Sequence, residues 1–312
     1  MPREDVLRPD EGGSSVNRRP GHGNRLVPLL ARVVSLAWCL MLCATCIASA
    51  AEADRAPAAT WWDTPGYVAH ALGGLEHTST AGTPTITNYT NSLEAFEQSY
   101  AKGHRVFEVD LILTSDGALV ARHDWGARMY ARLGQEPRAT VPSHAEFLST
   151  PILGSYTPLD IHGVVRLMRK YPDIYVVTDT RYKDTARVRK QFRAIVAAMG
   201  SKRLSLGKRI IVQVYDEKMF RTVRSIYPFR QVIYSLYQQE WTASLPYRAA
   251  RFARANRIRV VALPASRWSP AVTSRLRAAG VATAVHTVNS PEVASQLRAS
   301  GVRLIYTDQL AP

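Results

Sequence analysis

The stretch VFEVDLILTSDGALVARHD, Val106 to Asp124, governs how the rest of this chain is read. Its first half is an apolar, β-branched run with two acids set on alternate positions, Glu108 and Asp110. Side chains two apart on a strand point the same way, so both carboxylates project from one face. A Ser-Asp-Gly turn then leads into a second strand that ends in His123-Asp124. Two like charges among apolar neighbours are costly unless something cationic lies between them. A divalent cation meets that need, because hard cations take oxygen ligands. The alternative, an edge strand with both acids in water, sits badly with the apolar residues around them.

Working outward, short β-branched runs recur at 67–70, 105–113, 174–180, 209–215, 231–236, 259–263, 282–288 and 303–307. Between them lie stretches with helical spacing, at 92–102, 159–171, 185–199, 217–227, 269–279 and 291–300, most of them closed by glycine or proline. Eight strands in strict alternation with helices predict an α/β fold, a closed (β/α)8 TIM barrel without a regular last helix. An open doubly wound sheet is the competing architecture. It normally carries a glycine-rich phosphate turn after its first strand, and His70-Ala71-Leu72-Gly73-Gly74 is not that pattern. The barrel is expected over 66–312, behind an Ala/Pro-rich linker at 51–65.

Residues 1–50 read as an export signal or an uncleaved membrane anchor. Arg18, Arg19 and Arg25 precede an apolar run from Val33 to Ala48, and Ala48-Ser49-Ala50 is a small-x-small cleavage pattern. Cleavage near Ala50 predicts a periplasmic or extracellular protein. The three cysteines, Cys39, Cys43 and Cys46, all lie in that run, so the chain beyond it has no disulfide and no thiolate chemistry. A net charge of +15 favours anionic partners: phosphate esters or, by peripheral contact, an anionic membrane surface. The basic clusters at 187–193 and 248–259 read as exposed helix faces with no interleaved stacking aromatics, which argues against nucleic acid. The sequence does not specify an oligomeric state.

In a TIM barrel the chemistry collects at the C-terminal ends of the strands. His70, Glu108, Asp110, Asp179, Gln213, Tyr215, Tyr237, His286 and Asp308 fall at such ends. Glu108, Asp110 and Asp179 supply three carboxylates for one divalent cation, Mg²⁺ or Ca²⁺. His70 and His123 supply two imidazoles suited to general acid and base work. Arg181 shares the face of Asp179 and can hold a phosphate oxygen. Phosphodiester cleavage uses all of these roles. A glycosidase needs only a pair of carboxylates flanking the sugar.

The order AHALGG, TNSLEAF, FEVDLILTSDGALVARHD, VVTDTR and HTVNSPE…GVRLIYTD resembles the glycerophosphodiester phosphodiesterase family, over about Tyr67 to Asp308. That family belongs with the phosphatidylinositol-specific phospholipase C-like barrels. The resemblance implies His70 and His123 as the catalytic histidines and Glu108 and Asp110 as metal ligands. It places Asp179 where glutamate is usual, Arg181 where lysine is usual, and Asn91 at the family asparagine. It also exposes departures. Ala71 stands where an arginine normally follows the first histidine, leaving Arg181 or Lys183 to compensate, and His286 stands where an aromatic precedes Thr-Val-Asn. Gln213, Tyr215 and His286 complete the expected substrate-binding set with Arg181, Asn91 and Lys183. The implied substrate is a glycerophosphodiester. A phospholipase C- or D-like enzyme acting on lipid, with Trp61, Trp62, Trp125 and Tyr130 near the mouth, and a non-catalytic phosphoester-binding barrel are the alternatives. The segment 75–89 is expected to loop over the site, and 125–157 to form a lid or a plain loop.

Overall fold

The computed structural model describes residues 61, 62 and 66–312. The signal or anchor at 1–50 and most of the linker at 51–65 lie outside the described residues. Among those described, no helix is long and apolar enough to cross a membrane.

In chain order the elements are β1 (Gly66–Ala69), β2 (Leu75–Thr78), β3 (Pro84–Thr87), α1 (Leu93–Ala101), β4 (Val106–Leu113), β5 (Leu119–Ala121), α2 (Ala127–Arg132) and α3 (His144–Leu148). There follow α4 (Ile161–Lys170), β6 (Tyr175–Asp179), α5 (Thr185–Met199), α6 (Arg203–Leu206), β7 (Ile210–Val214), α7 (Glu217–Arg224) and β8 (Gln231–Ser235). The chain continues through α8 (Leu245–Ala255), β9 (Val260–Pro264), α9 (Pro270–Ala278), β10 (Ala282–His286), α10 (Pro291–Ala299) and β11 (Leu304–Thr307). Strands β1, β4, β6, β7, β8, β9, β10 and β11 pair in parallel in that order, and β11 returns to β1, so the sheet closes into the expected eight-stranded barrel. No helix follows β11 in residues 308–312. The segment 75–89, expected as a loop, is instead the antiparallel hairpin β2–β3, which lets its backbone groups pair with each other. The 125–157 segment carries the short helices α2 and α3. Helix α8 falls in the stretch read as a basic helix face.

The helices start where the sequence offers a side-chain acceptor to an unpaired N–H. Ser92, Asp160, Asp184, Asp216, Ser269 and Ser290 each cap the residue three positions on. Strand alternation then sorts the side chains. Phe107, Val109 and Leu111 face outward into the core shared with the helices, beside Phe192, Ile195 and Val164. Val68, Val106, Val177, Ile211, Ile233, Val260, Ala262, Ala284 and Leu304 face inward and fill the lower barrel. Two residues further along the same inward rows the side chains turn polar, to His70, Glu108, Gln213 and His286. One strand register therefore builds both the dry floor and the polar mouth.

Trp61 closes that floor. It is 8% exposed, packs on the inward valines, and its indole N–H donates to Gln231 Oε1 at 3.1 Å, at the start of β8. Trp62 lies edge-on to it, with ring centroids 5.4 Å apart. These two tryptophans, expected near the mouth, thus sit at the opposite end of the barrel. At the mouth, Trp125 donates to Leu113 O at 3.1 Å and packs edge-on against Phe147, while Tyr130 is 4% exposed. Trp125 packs on the cluster of Ile112, Val120 and Phe147, and the Tyr130 ring lies against the Arg122 guanidinium at 4.4 Å, so both rings are turned inward.

Trp61→Ala should lower stability by about 3–5 kcal/mol, as large-to-small core changes do. Chemical denaturation checks this, and kcat at a permissive temperature should be unchanged because Trp61 lies at the floor.

Candidate active site

Glu108 and Asp110 both face into the barrel, 2% and 6% exposed. Asp110 pairs in register with Asp179 across the β4–β6 ladder, which puts the third carboxylate on the same level. Ligand oxygens of the three lie within 4.8 Å of one another. Glu108 Oε2 accepts the backbone N–H of Ala71 at 2.7 Å, while Oε1 is buried with no partner. A divalent cation fits this donor set: three hard oxygens converge, one lacks any other bond, and their mutual repulsion needs a positive charge. Burial, then the charges of Asp110 and Asp179, push the Glu108 carboxyl well above the usual range. Burial and Asp110 push Asp179 up to about 6, against a hydrogen bond from Tyr215.

Each carboxylate is held from behind. Asn91 Nδ2 donates to Asp110 Oδ2 at 2.9 Å, and its Oδ1 accepts the Asp110 N–H at 3.0 Å. Gln213 Nε2 donates to Asp179 Oδ2 at 3.0 Å and its Oε1 accepts from Tyr306. The Tyr215 hydroxyl donates to Asp179 and accepts the N–H groups of Thr180 and Arg181. Asn91 and Tyr215, expected as substrate contacts, are fully buried behind the ligand oxygens, so the geometry corrects their role to positioning. Lys183 is also displaced from expectation. Its Nζ lies 3.5 Å from Gln238 O, and it lines neither mouth cavity.

Two histidine–aspartate pairs flank the carboxylates. His70 Nδ1 lies 2.8 Å from Asp308 Oδ1, and its Nε2 is 3.9 Å from Glu108. Asp308 is fixed in turn by Asn88 Nδ2 at 3.0 Å, Asn289 Nδ2 at 2.7 Å, and its own N–H on Asn289 Oδ1 at 2.8 Å. Burial opposes charge on His70, but the Asp308 hydrogen bond and field, with Asp110 and Asp179, raise its pKa above the ordinary imidazole value. His123 Nδ1 lies 2.7 Å from Asp124 Oδ2, whose other oxygen accepts the Gly126 N–H at 2.6 Å. Asp124 therefore both caps the turn and orients the imidazole. The Arg181 guanidinium donates to His123 O at 3.2 Å and stands 3.6 Å from Asp124.

Two cavities meet at this centre. The smaller, about 200 Å³, is lined by His70, Tyr89, Glu108, Gln213, His286 and Tyr306 among others. The larger, about 420 Å³, is lined by Leu111, Arg181, Tyr182 and Gln238. Asp110, His123, Asp179 and Tyr237 border both. His286 is lowered to about 4 by burial and by His70 and Arg267, so this imidazole is neutral. Sequence reasoning left three groups without a role. Tyr89 stands edge-on between His70 and His123, with ring centroids at 4.8 and 5.1 Å. Burial and the surrounding carboxylates raise its hydroxyl to about 12. Asn289, within Thr-Val-Asn, and Asp308, at the last strand end, form the support behind His70. The asparagine's motif was visible; Tyr89 carried no local signal.

The chain matches the Glycerophosphoryl diester phosphodiesterase family over residues 81–311. No curated protein matches it. Among solved structures, a Silicibacter pomeroyi protein aligns at 18% identity over 79% of this chain and 90% of its own, with a TM-score of 0.62. A glycerophosphodiester phosphodiesterase from Parabacteroides distasonis aligns at 18% over 78% and 93%, TM-score 0.59. An Oleispira antarctica phosphodiesterase, solved with the product sn-glycerol-3-phosphate, aligns at 14% over 78% and 93%, TM-score 0.58. At these identities the likeness speaks to the fold.

The raised carboxyls make stability a reporter of the site. A folded-state pKa above the unfolded one means that the folded protein holds extra protons just above the ordinary carboxylate range. Without metal, stability should therefore fall as pH rises through about 6. Thermal melts in chelator should show a lower Tm at pH 8 than at pH 5. Mg²⁺ or Ca²⁺ should restore it at pH 8, and Glu108→Gln should flatten both responses. A Tm indifferent to pH and cation would sink this account.

Proposed function

Because the chain belongs to the glycerophosphoryl diester phosphodiesterase family, and so is a phosphoric diester hydrolase, we propose that it hydrolyses a glycerophosphodiester to an alcohol and glycerol phosphate by histidine acid–base catalysis. The observation that carries this reading is the pair of aspartate-oriented imidazoles on either side of three convergent carboxylates. A divalent cation, Mg²⁺ or Ca²⁺, held by Glu108, Asp110 and Asp179 would offset the charge that develops on the phosphoryl oxygens.

The two cavities divide the labour. His70 lines only the smaller cavity, while His123 borders both. The retained glycerol belongs in the smaller one and the departing alcohol in the larger, more open one. His70, made more basic by Asp308, takes the proton from the attacking hydroxyl at Nε2. His123, held at Nδ1 by Asp124, delivers a proton from Nε2 to the leaving oxygen. Attack by the neighbouring glycerol hydroxyl gives a cyclic phosphate that water then opens with the roles reversed. Attack by water gives the product directly. Phosphorus NMR separates the routes through the presence or absence of the cyclic species. Arg181, on the β6 side, lines the larger cavity that takes the departing alcohol, and neutral His286 offers an uncharged wall to the smaller one. Substrate contact by Gln213 is limited to what its bonds to Asp179 and Tyr306 leave free. Export of the barrel, with residues 1–50 as the signal, is part of the same reading, supported by the leader and by the cysteine-free remainder.

His70→Ala and His123→Ala should each lower kcat by about 10²–10⁴-fold, the usual contribution of acid–base catalysis, while keeping the cation-induced rise in Tm. Full activity in either variant would refute the assignment. The base must be neutral to act, so kcat/KM should have an acidic limb set by His70 and its hydrogen bond to Asp308. In Asp308→Asn that limb should move to lower pH and the maximal rate should drop.

A further inference from the structure

We infer that the larger cavity selects a departing alcohol that is a polyol or carries an anion, and rejects quaternary and primary ammonium headgroups. This rests on the phosphodiesterase reading and adds the substrate class. An ammonium headgroup is held by open aromatic faces or by a free carboxylate. The cavity offers neither. The Arg187 guanidinium lies 4.5 Å over the Tyr182 ring, which also packs against the cluster of Ile112, Val120 and Phe147. Tyr237 meets Tyr215 and His286 edge to face, at 5.3 and 5.8 Å. The aromatic surfaces already serve cations of the protein itself or other rings.

The carboxylates are committed as well. Asp124 serves His123, Gly126 and Arg181, and Asp110 and Asp179 belong to the cation-binding triad. Facing the departing group instead is Arg181, its side chain nearly half exposed at 46%, with the Lys183 charge behind Gln238. Gln238 anchors that wall by donating to Arg181 O and to the Tyr237 hydroxyl, both at 2.7 Å. With its rings capped and its carboxylates taken, this wall gives choline or ethanolamine no counter-charge, while Arg181 and Gln238 offer N–H donors to hydroxyl or oxyanion groups.

The test is kcat/KM of the full chain, with Mg²⁺ or Ca²⁺, on glycerophosphoglycerol, glycerophosphoinositol, glycerophosphocholine and glycerophosphoethanolamine. The glycerol and inositol esters should lead the choline and ethanolamine esters by about tenfold, as the absence of any counter-charge or open ring for an ammonium group in a partly desolvated cavity implies. Arg187→Ala frees one Tyr182 face from outside the catalytic groups. It should raise kcat/KM for the choline ester about 3-fold and leave the glycerol ester unchanged. Equal or better hydrolysis of the choline ester by the unaltered protein, or an unmoved ratio in Arg187→Ala, overturns the specificity and leaves the phosphodiesterase reading standing. No hydrolysis of any of the four overturns both.

Discussion

Three carboxylates at one level of a narrow barrel repel one another, and most of the mouth is arranged around that repulsion. The β4–β6 register makes it unavoidable, because Asp110 and Asp179 are paired neighbours and Glu108 sits two residues below on the same inward row. Hydrogen bonds from Asn91, Gln213, Tyr215 and the Ala71 N–H fix the ligand oxygens without neutralising them. Neutral donors lower the cost of each charge but cannot remove the interaction between charges. Glu108 Oε1 is left buried without a partner. A site supported this way carries a repulsion that a bound cation would relieve.

Around this centre the histidines are fixed by different means. His123 and Asp124 are chain neighbours, so that pair is local and set by the turn at Gly126. His70 and Asp308 are far apart in sequence and meet only because β1 pairs with β11. The base proposed here therefore depends on closure of the barrel, and its support includes Asn88 after the β2–β3 hairpin and Asn289 after β10. Loosening the last strand would disturb His70 before it disturbed His123. The floor contributes from the other end: Trp61 and the inward valines exclude water below the carboxylates, and the dry environment that raises Glu108 begins there.

Much of this was legible in the sequence because the barrel uses period-two alternation throughout. The eight strands and their helices fell where β-branched runs and capping residues put them, and Glu108, Asp110 and Asp179 followed from strand-end logic. What remained hidden depends on contacts between distant segments. Whether Asn91 and Tyr215 face a substrate or the back of a carboxylate is a matter of which oxygen they reach, and residue type does not encode it. Trp61 and Trp62 precede β1, so their placement at the floor follows from the direction in which the chain enters the barrel. The 75–89 segment looked like a loop because its threonines and glycine suit a turn as well as a strand, and only pairing between Leu75–Thr78 and Pro84–Thr87 separates the two.

The alanine after His70 ties these features together. Ala71 is fully buried, adopts a left-handed backbone with φ of 52°, and gives its N–H to Glu108. That turn supports the carboxylate through its backbone, a contribution that does not depend on the side chain. Its methyl side chain brings no charge to the β1 side of the site. Arg181, by contrast, rises after β6 and borders the larger one. With Ala71 and Arg181 together, the mobile positive charge of the site stands on the side of the departing alcohol. Beside the carboxylates, the smaller cavity has three imidazoles, tyrosine hydroxyls and an amide, groups suited to an uncharged glycerol. A cation bordering the larger cavity, with none on the β1 side, bears on the departing end of the substrate and leaves the glycerol end to neutral donors.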